Sequence, residues 1–397
     1  MNSSPDDTLL IHSGRAPSSF GGMVNTPACR ASTLLVGSYE ELRKRRANGN
    51  AYGHYARFGT PTTQAFCDML AELEGARGAV VFPSGLAACT HALLGFLAPG
   101  DHVLMTDNVY GPTRAFATCT LARMGIEVTF FSPLDGAQIA LHMRTNTRVV
   151  YLESPGSQTF EVSDTPAIAA AARQRGAIVM MDNTWATPLY FKPLEHGVDV
   201  SIHAATKYLV GHSDAILGAV SANARAWPGL RDAAHAFGQI AGPDDLYLAL
   251  RGLRSLSVRL QRHQHTALLL AKRLMEHPAV QDVLHPALPH APGHHYWKRD
   301  FKGASGLFGV VLRPVPDQEH ALAKVFNSLC LFGMGLSWGG FESLALPIDP
   351  PVRAVASWQA EGPLLRLHAG LEDAEMLWQD LSCALDAYVQ ASVHAVN

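Results

Sequence analysis

The sequence predicts an α/β fold with a mainly parallel seven-stranded sheet and a smaller C-terminal α/β domain. Short, continuous apolar runs alternate with helical patterns between about Thr62 and Gly252. Strands that are apolar on both faces are typical of parallel sheets covered by helices on each side. The chain has 397 residues, more than one compact core usually holds. We therefore expect an N-terminal arm over 1–60, a large domain over 61–253 and a smaller domain over 254–397.

Apolar runs mark the predicted strands, and helical segments such as 86–97 and 166–175 separate them. The seven runs of the large sheet are 79–82, 103–105, 128–131, 149–152, 178–181, 200–202 and 215–217. A long helix over about 253–276 leads into the smaller domain. Strands at 280–284, 307–312 and 364–368 and a closing helix from about Asp373 are expected there.

Composition excludes several function classes. The net charge of −3 and the pI of about 6.7 give no basic excess for nucleic acid or an anionic membrane. The basic run 43–46 is typical of a solvated helix face, with a role at a subunit boundary as the alternative. No apolar run approaches the ~20 residues of a membrane span. The polar N-terminus and six scattered cysteines favour a soluble, cytoplasmic protein with reduced thiols.

A histidine-rich stretch between His285 and His295 is the only candidate metal site in the sequence. Its prolines, and the lack of a paired cysteine or acidic ligand, favour an ordinary loop. We therefore expect no metal.

Two strand ends carry polar groups that suit a bound anion and a bound cation. Ser84-Gly85 follows the first run and opens a helix, which offers free N–H groups to a phosphate, although Ser is also a common N-cap. Asp182 closes a buried strand, where an unpaired carboxylate is costly. It is either a structural ion-pair partner or N-cap, or the partner of a protonated ring nitrogen.

Lys207 follows a third strand, among apolar neighbours and before a glycine turn. Lysines are mostly exposed, so a surface position is the alternative. A lysine at a buried strand end can lose its charge and become a nucleophilic amine. A phosphate cradle, a buried carboxylate and such a lysine are the three contacts that pyridoxal 5'-phosphate (PLP) needs. At about 4 Å, Asp182 would stabilise a ring cation by roughly 4 kcal/mol, which would raise the pKa of the ring nitrogen by about three units.

The chain resembles the Cys/Met-metabolism family of fold-type I PLP-dependent enzymes over essentially its whole length. The motifs that carry the resemblance are Tyr55-Ala56-Arg57, Ser84-Gly85, Tyr110-Gly111, Glu153-Ser154-Pro155, Asp182-Asn183, Ala205-Thr206-Lys207-Tyr208, Gly339-Gly340-Phe341-Glu342-Ser343 and Arg366-Leu367-His368.

The resemblance implies a role for each matching residue. Lys207 would be the Schiff-base lysine and the base for the Cα proton, and Asp182 the partner of the ring nitrogen. The remaining roles concern the ring, the phosphate and the substrate. Tyr110 would stack on the ring, and Arg366 would bind the substrate carboxylate. The phosphate would be bound by Gly85, Leu86 and Thr206, together with Tyr55 and Arg57 of a neighbouring subunit. A homo-oligomer, usually a tetramer of paired dimers, is implied as well. Ala204 stands where the family often has Ser, so one phosphate hydroxyl is expected to be absent. Thr60 stands where the family often has Asn, and both departures could alter the affinity for PLP.

Within the family, Ser337-Trp338-Gly339-Gly340 resembles the bacterial β-lyases. The γ-acting enzymes usually have Leu in place of Trp338 and often Glu in place of Leu336. Core packing is the alternative role for Trp338. The resemblance therefore implies β-elimination of L-cystathionine to homocysteine, pyruvate and ammonia, a step of methionine biosynthesis, with Ser337 and Trp338 among the substrate-binding residues.

Three alternatives differ in chemistry. A γ-elimination or γ-replacement in the same family would release different products from L-cystathionine. A non-catalytic PLP-binding regulatory module would have no need for Lys207, Asp182, Tyr110 and Arg366 together. A nicotinamide enzyme is excluded because no G-x-G-x-x-G follows the first strand.

Overall fold

The structure, a computed structural model, describes residues 5–47, 54–355 and 357–394. Residues 1–4 and 48–53 of the predicted arm lie outside the described residues. The weak periodicity of the arm predicts one short helix, whereas its described part has two α-helices: α1 (Pro5–His12) and α2 (Tyr39–Ala47). Leu10 of α1 is buried, and Asp6 pairs with Lys192 at 2.9 Å, so this helix packs onto the rest of the chain.

The large sheet has the predicted seven strands. They are β1 (Gly78–Phe82), β2 (His102–Thr106), β3 (Glu127–Phe131), β4 (Thr147–Glu153), β5 (Ile178–Asp182), β6 (Val200–His203) and β7 (Gly218–Ala222). Their order is β1-β7-β6-β5-β4-β2-β3, and β7 alone runs antiparallel to its neighbours. The carboxyl ends of the other strands therefore meet at one edge of the sheet.

Both faces of this sheet are covered, which explains the continuous apolar runs. Val103 and Met105 of β2 pack into a core with helices α4 (Gly85–Leu94) and α8 (Trp227–Phe237). Leu104 of the same strand faces the opposite way, into a core with α6 (Thr165–Gln174). Alternate residues of one strand thus enter two cores, as the pleat of a β-strand requires.

The seventh strand was predicted at the wrong place. Residues 215–217 form a loop, in which Ile216 is largely exposed, and the strand begins at Gly218. Leu217 bonds the hydroxyl and the backbone of Thr206 instead of a neighbouring strand. A Cβ on Gly218 would lie 2.1 Å from the Ser84 carbonyl oxygen. The small residues that this close packing demands carry no apolar signal, so the strand was missed.

The predicted long helix lies at the expected residues, and a second helix that the sequence analysis does not predict ends directly before it, with a break at Ser255. Helix α9 spans Pro243–Arg254 and α10 spans Leu256–Leu274. The Arg259 guanidinium donates to the carbonyl oxygens of Gly252 and Tyr208, both at 2.8 Å. In a continuous helix the Gly252 carbonyl would accept a backbone N–H. Here it accepts the buried Arg259 guanidinium, which permits the break.

The C-terminal region is a second, smaller sheet with helices, as expected. Its strands β8 (Val280–Leu284), β9 (Leu307–Leu312) and β11 (Leu364–His368) lie at the predicted residues, and β10 (Leu344–Ile348) was missed because Pro347 interrupts its pattern. All pairs are antiparallel, in the order β10-β11-β9-β8. The closing helix is α13 (Ala374–His394). The domain boundaries at 60 and 253 stay a prediction.

The remaining helices connect these elements: α3 (Pro61–Glu74), α5 (Gly111–Ala115), α7 (Thr187–Tyr190), α11 (His294–Asp300) and α12 (Gln318–Ser328). Over the described ranges, no helix combines the length and the apolar character needed to cross a lipid bilayer.

Candidate active site

Five strands deliver polar groups to the same edge of the large sheet. Ser84 follows β1, Tyr110 follows β2, Glu153 ends β4, Asp182 ends β5 and Lys207 follows β6. Glu153 and Asp182 are direct partners in the β4–β5 register. The structure therefore brings together residues that are far apart in sequence, at the edge where α/β sheets bind ligands.

The candidate phosphate site is the N-terminus of α4. Ser84 is the N-cap, and its hydroxyl accepts the Ala87 N–H at 3.1 Å. The N–H groups of Gly85 and Leu86 have no acceptor within the helix, since they belong to its first turn. A Cβ on Gly85 would lie 2.4 Å from the Ala204 Cβ, so only glycine fits there. The helix terminus is thus open to an anion.

Thr206 is engaged elsewhere. Its hydroxyl donates to the Leu217 carbonyl at 3.2 Å and accepts the Leu217 N–H at 2.9 Å. This arrangement connects the Lys207 segment to the loop before β7. The contact of Thr206 with a phosphate stays a prediction.

Asp182 is buried, with 8% of its surface exposed, and is held at one oxygen only. Its Oδ1 accepts the Thr184 N–H at 3.0 Å and the Thr184 hydroxyl at 2.5 Å. That hydroxyl itself accepts the Ala204 N–H at 2.8 Å, so its donor direction is fixed toward Asp182. For Oδ2, the described residues offer only the weak thiol donor of Cys89, at 3.6 Å. Asp182 can therefore pair with a cation supplied from outside the chain.

Lys207 donates from Nζ to the Ser337 hydroxyl at 2.7 Å. The Trp338 ring lies beside the amine, with its centroid 5.2 Å from Nζ. Burial, together with the positive charge of Arg366, lowers the pKa of Lys207 to about 8, against the opposing effect of Asp182. A neutral amine is thus accessible near physiological pH, which a surface lysine would not provide.

Arg366 on β11 borders the same space. Its Nη2 donates to the Ser337 carbonyl at 2.9 Å, and burial lowers its pKa from the ordinary value while leaving it a cation. Trp338 packs against Tyr208, with ring centroids 5.4 Å apart. Trp338 is therefore both a packing residue and a neighbour of the lysine, so the two interpretations given above are compatible.

Tyr110 is held in place by Glu153, which in the sequence stands out only as part of the motif Glu153-Ser154-Pro155. The Glu153 carboxyl accepts the Tyr110 N–H at 2.6 Å, and the Tyr110 side chain stays 44% exposed. Burial, and then the negative charge of Asp182, hold the pKa of Glu153 well above its ordinary value. Burial also raises the pKa of the Tyr110 phenol. A carboxyl group at the end of a buried strand was the available signal for Glu153, as it was for Asp182.

Tyr55 and Arg57 lie away from the other site residues of this chain. Arg57 contacts the His235 carbonyl at 3.5 Å, and its guanidinium lies over the Phe58 ring. Arg57 lines a cavity of about 910 Å³ that includes Trp227 and Arg231 but not Lys207 or Asp182. Tyr55 is 45% exposed. Within one chain these two residues are therefore not part of the candidate active site.

The histidine-rich stretch has partners of its own. His294 contacts the Pro286 carbonyl, and His290 contacts Asp282 at 3.0 Å. Throughout the described ranges, no three His, Cys, Asp or Glu side chains form a group that could hold a metal ion. The basic run 43–46 lies in α2, where Arg45 pairs with Glu41.

The residues at the sheet edge fit PLP. The open helix terminus at Gly85 suits the phosphate, the free oxygen of Asp182 suits a protonated ring nitrogen, and Lys207 has the desolvated amine that an aldehyde requires. In the described part of the chain, neither Asp182 nor Lys207 forms a direct ion pair, which is the arrangement that a bound cofactor would complete.

Comparison with known proteins agrees with this fit. The sequence model of the "Cys/Met metabolism PLP-dependent enzyme" family matches residues 7–386. A putative cystathionine β-lyase from Rhizobium johnstonii is 50% identical over 94% of both chains. Cystathionine β-lyase MetC from Escherichia coli is 47% identical over 94% of this chain and 96% of that protein. The crystal structure of metB from Corynebacterium glutamicum superposes with a TM-score of 0.86 at 31% identity, covering 97% of this chain and 98% of that one.

Proposed function

The chain belongs to the Cys/Met metabolism PLP-dependent enzyme family, and we propose that it catalyses the β-elimination of L-cystathionine. With one water, the products are homocysteine, pyruvate and ammonia. The observation that carries the proposal is the desolvated Lys207 amine, held by Ser337 beside Trp338 at the edge where Asp182 lies. The fold is that of a fold-type I PLP enzyme, and PLP is its cofactor.

Substrate binding begins with Arg366. A guanidinium binds a carboxylate bidentately, and here it is already oriented by the Ser337 carbonyl. With the α-carboxylate fixed at Arg366, the Cα–H bond of the substrate faces the Lys207 side of the site. Ser337 and Trp338 line the same side and limit the space for the sulfur-bearing chain.

Lys207 is proposed as the base and acid of the reaction. Its neutral amine removes the Cα proton, and the resulting ammonium donates a proton to the sulfur as the Cβ–S bond breaks. PLP, when bound, supplies the electron sink that stabilises the charge developing at Cα. The lysine thus needs a pKa near the working pH, and the value of about 8 meets this requirement.

Five further residues are proposed to hold the cofactor. Gly85 and Leu86 bind its phosphate through their N–H groups, Thr206 supports the same site, and Asp182 pairs with the ring nitrogen. Tyr110 stacks on the ring and accepts a hydrogen bond from the substrate amine.

The choice between β- and γ-elimination rests on Leu336 and Trp338. Leu336 is 87% exposed and offers no carboxylate to the distal ammonium of the substrate. Purified protein given L-cystathionine is therefore expected to release pyruvate and homocysteine, measured by mass spectrometry of the products. 2-Oxobutyrate and cysteine as main products would replace this proposal with γ-elimination. No turnover, with PLP bound, would favour a regulatory binding module.

We also propose that the active site is completed by a second copy of the chain. Arg57 contacts the His235 carbonyl and lines a large cavity whose lining does not include Lys207, and Tyr55 is exposed. The resemblance described above places both residues at the phosphate of a neighbouring subunit. A homo-oligomer, as dimer or tetramer, would satisfy both observations.

Co-expression of two inactive variants tests the shared site. If Arg57→Ala and Lys207→Ala chains assemble at random, about a quarter of the sites carry neither change, and about that share of activity should return. The matched control is Asp182→Ala with Lys207→Ala, where both changes fall on the same side of the interface and no site is intact. Activity in the control mixture, or none in the test mixture, would contradict a site shared in this way.

The cytoplasmic location and the place in methionine biosynthesis expected from the sequence belong to the same proposal. Six cysteines without a disulfide bond accord with a reducing compartment.

A further inference from the structure

Residues 337–342 pass over the Lys207 segment in a strained conformation. Ser337 has a φ of +84° and Gly339 a φ of +83°. A serine rarely adopts this region, and such strain persists only where neighbouring contacts impose it. A Cβ on Gly339 would lie 2.8 Å from the Tyr208 nitrogen and 3.0 Å from the Lys207 carbonyl carbon. The chain therefore needs other residues to hold Ser337 on the lysine.

Strand β11 supplies two such contacts from one face. Arg366 donates to the Ser337 carbonyl at 2.9 Å, and His368 Nε2 accepts the Gly339 N–H at 3.0 Å. Residues two apart on a strand point to the same side, so Arg366 and His368 hold the two ends of the turn at 337–339.

The hydrogen bonds of His368 define its tautomer. Because Gly339 donates to Nε2, that nitrogen carries no proton, and the proton must be on Nδ1. Nδ1 lies 3.1 Å from the Glu342 carbonyl oxygen, which it can only approach as a donor. The ring is 1% exposed, and burial, with His263, Arg366 and Lys207 nearby, lowers its pKa well below the ordinary value. The neutral form needed for both contacts is thus favoured.

The far end of the segment has anchors besides the contact between His368 and Glu342. The Ser343 N–H and hydroxyl each donate to Glu372, at 2.8 Å, and the Leu371 N–H donates to the Phe341 carbonyl. Losing His368 would therefore free residues 337–340 in particular, leaving 341–343 anchored.

We propose that His368 is a positioning residue for the reaction: it fixes the Gly339 backbone and so keeps the Ser337 hydroxyl on the Lys207 amine. His368 does not touch the reacting atoms. The inference rests on the proposed role of Lys207 but not on the identity of the substrate.

Two substitutions at His368 separate its contacts. In His368→Gln the amide oxygen can occupy the place of Nε2 and accept the Gly339 N–H, whereas His368→Asn reaches only the place of Nδ1. His263→Asn is the matched control. His263 is equally buried, and its ring centroid lies 5.1 Å from that of His368. It donates to the Ala369 carbonyl at 2.7 Å, and among the described residues it has no hydrogen bond to 337–342.

Hydrogen exchange of the holoenzyme, followed by mass spectrometry of the peptide containing 337–342, tests the positioning directly. In His368→Asn we expect exchange at least about tenfold faster in this peptide, as one buried hydrogen bond is lost. We expect kcat for L-cystathionine to fall about tenfold with little change in KM. His368→Gln should recover most of both, and His263→Asn should leave the peptide protected.

Equal exchange in the Asn and Gln variants, or equal loosening in His263→Asn, would show that His368 acts only through packing and would overturn the proposal. If His368→Asn does not fold, His368→Leu takes its place, since leucine fills part of the same space but offers no acceptor to the Gly339 N–H; exchange as slow as in His368→Gln would then overturn the proposal. The exchange measurement needs no substrate, so it remains decisive even if L-cystathionine is not turned over.

Discussion

Replacing Lys207 with alanine is expected to lower kcat/KM for L-cystathionine about a thousandfold or more, the scale of a lost general acid–base group. The same amine is proposed to carry the cofactor, so the loss should appear in binding chemistry as well. Borohydride reduction of the native enzyme should attach the cofactor covalently to the peptide containing Lys207, as seen by mass spectrometry after digestion. The variant should give no such peptide.

Lys192→Ala is the control for losing a partly buried lysine. Lys192 forms an ion pair with Asp6 at 2.9 Å and lies outside the candidate active site. We expect its replacement to affect stability and to leave kcat/KM and the labelled peptide unchanged. A borohydride-stable adduct at full yield in Lys207→Ala would refute the assignment of the lysine.

The reactivity of Lys207 should also follow its environment. Burial lowers its pKa from 10.5 to about 8, so its neutral fraction rises as the pH passes through about 8. In cofactor-free protein, acylation of Lys207 by an amine reagent should therefore reach half its maximal rate near that pH. A midpoint near 10.5 would mean that the amine is solvated.

Lys207 and Asp182 could be predicted because each follows a continuous apolar strand. Burial at that place makes a charged group costly, and the carboxyl ends of parallel strands share one edge. Glu153 also ends a buried apolar strand. Its position beside Asp182 depends on the register of β4 and β5, which the sequence of neither strand shows. Which strands are neighbours follows from the fold and not from any single segment.

His368 and Thr184 could not be assigned from the sequence. Thr184 holds Asp182 in place because its hydroxyl donates to Asp182 while it accepts the N–H of Ala204, 20 residues later. His368 acts through the backbone of Gly339, 29 residues earlier. Backbone partners of this kind carry no side-chain pattern. The misplaced β7 has the same cause, because close packing of Gly218 on Ser84 requires small residues and leaves no apolar run.

Asp182→Asn is expected to separate stability from function. The change removes the negative charge but keeps the shape, and the Asn oxygen can still accept from Thr184. Among the residues that the structure describes, no lysine or arginine pairs with Asp182, so its buried charge has no partner before the cofactor binds. Removing an unpaired buried charge should leave the cofactor-free protein as stable as the native form, or more so.

Function should respond in the opposite direction. A charge about 4 Å from the ring nitrogen is worth roughly 4 kcal/mol, so losing it should lower kcat up to about a thousandfold. PLP affinity, measured by fluorescence titration of the cofactor-free protein, should fall as well.

Asp199→Asn is the matched control for Asp182→Asn. Asp199 is fully buried too, but it pairs with Arg225 at 2.9 Å and accepts the Val179 N–H. Its replacement removes a fully buried carboxylate from its ion pairs with Arg225 and Arg173, and should lower the melting temperature while leaving PLP affinity intact. The two buried aspartates thus predict opposite patterns: Asp182 stabilises the bound cofactor, and Asp199 stabilises the fold. Equal losses of melting temperature in both variants, with PLP affinity unchanged, would place Asp182 among the structural ion-pair residues instead.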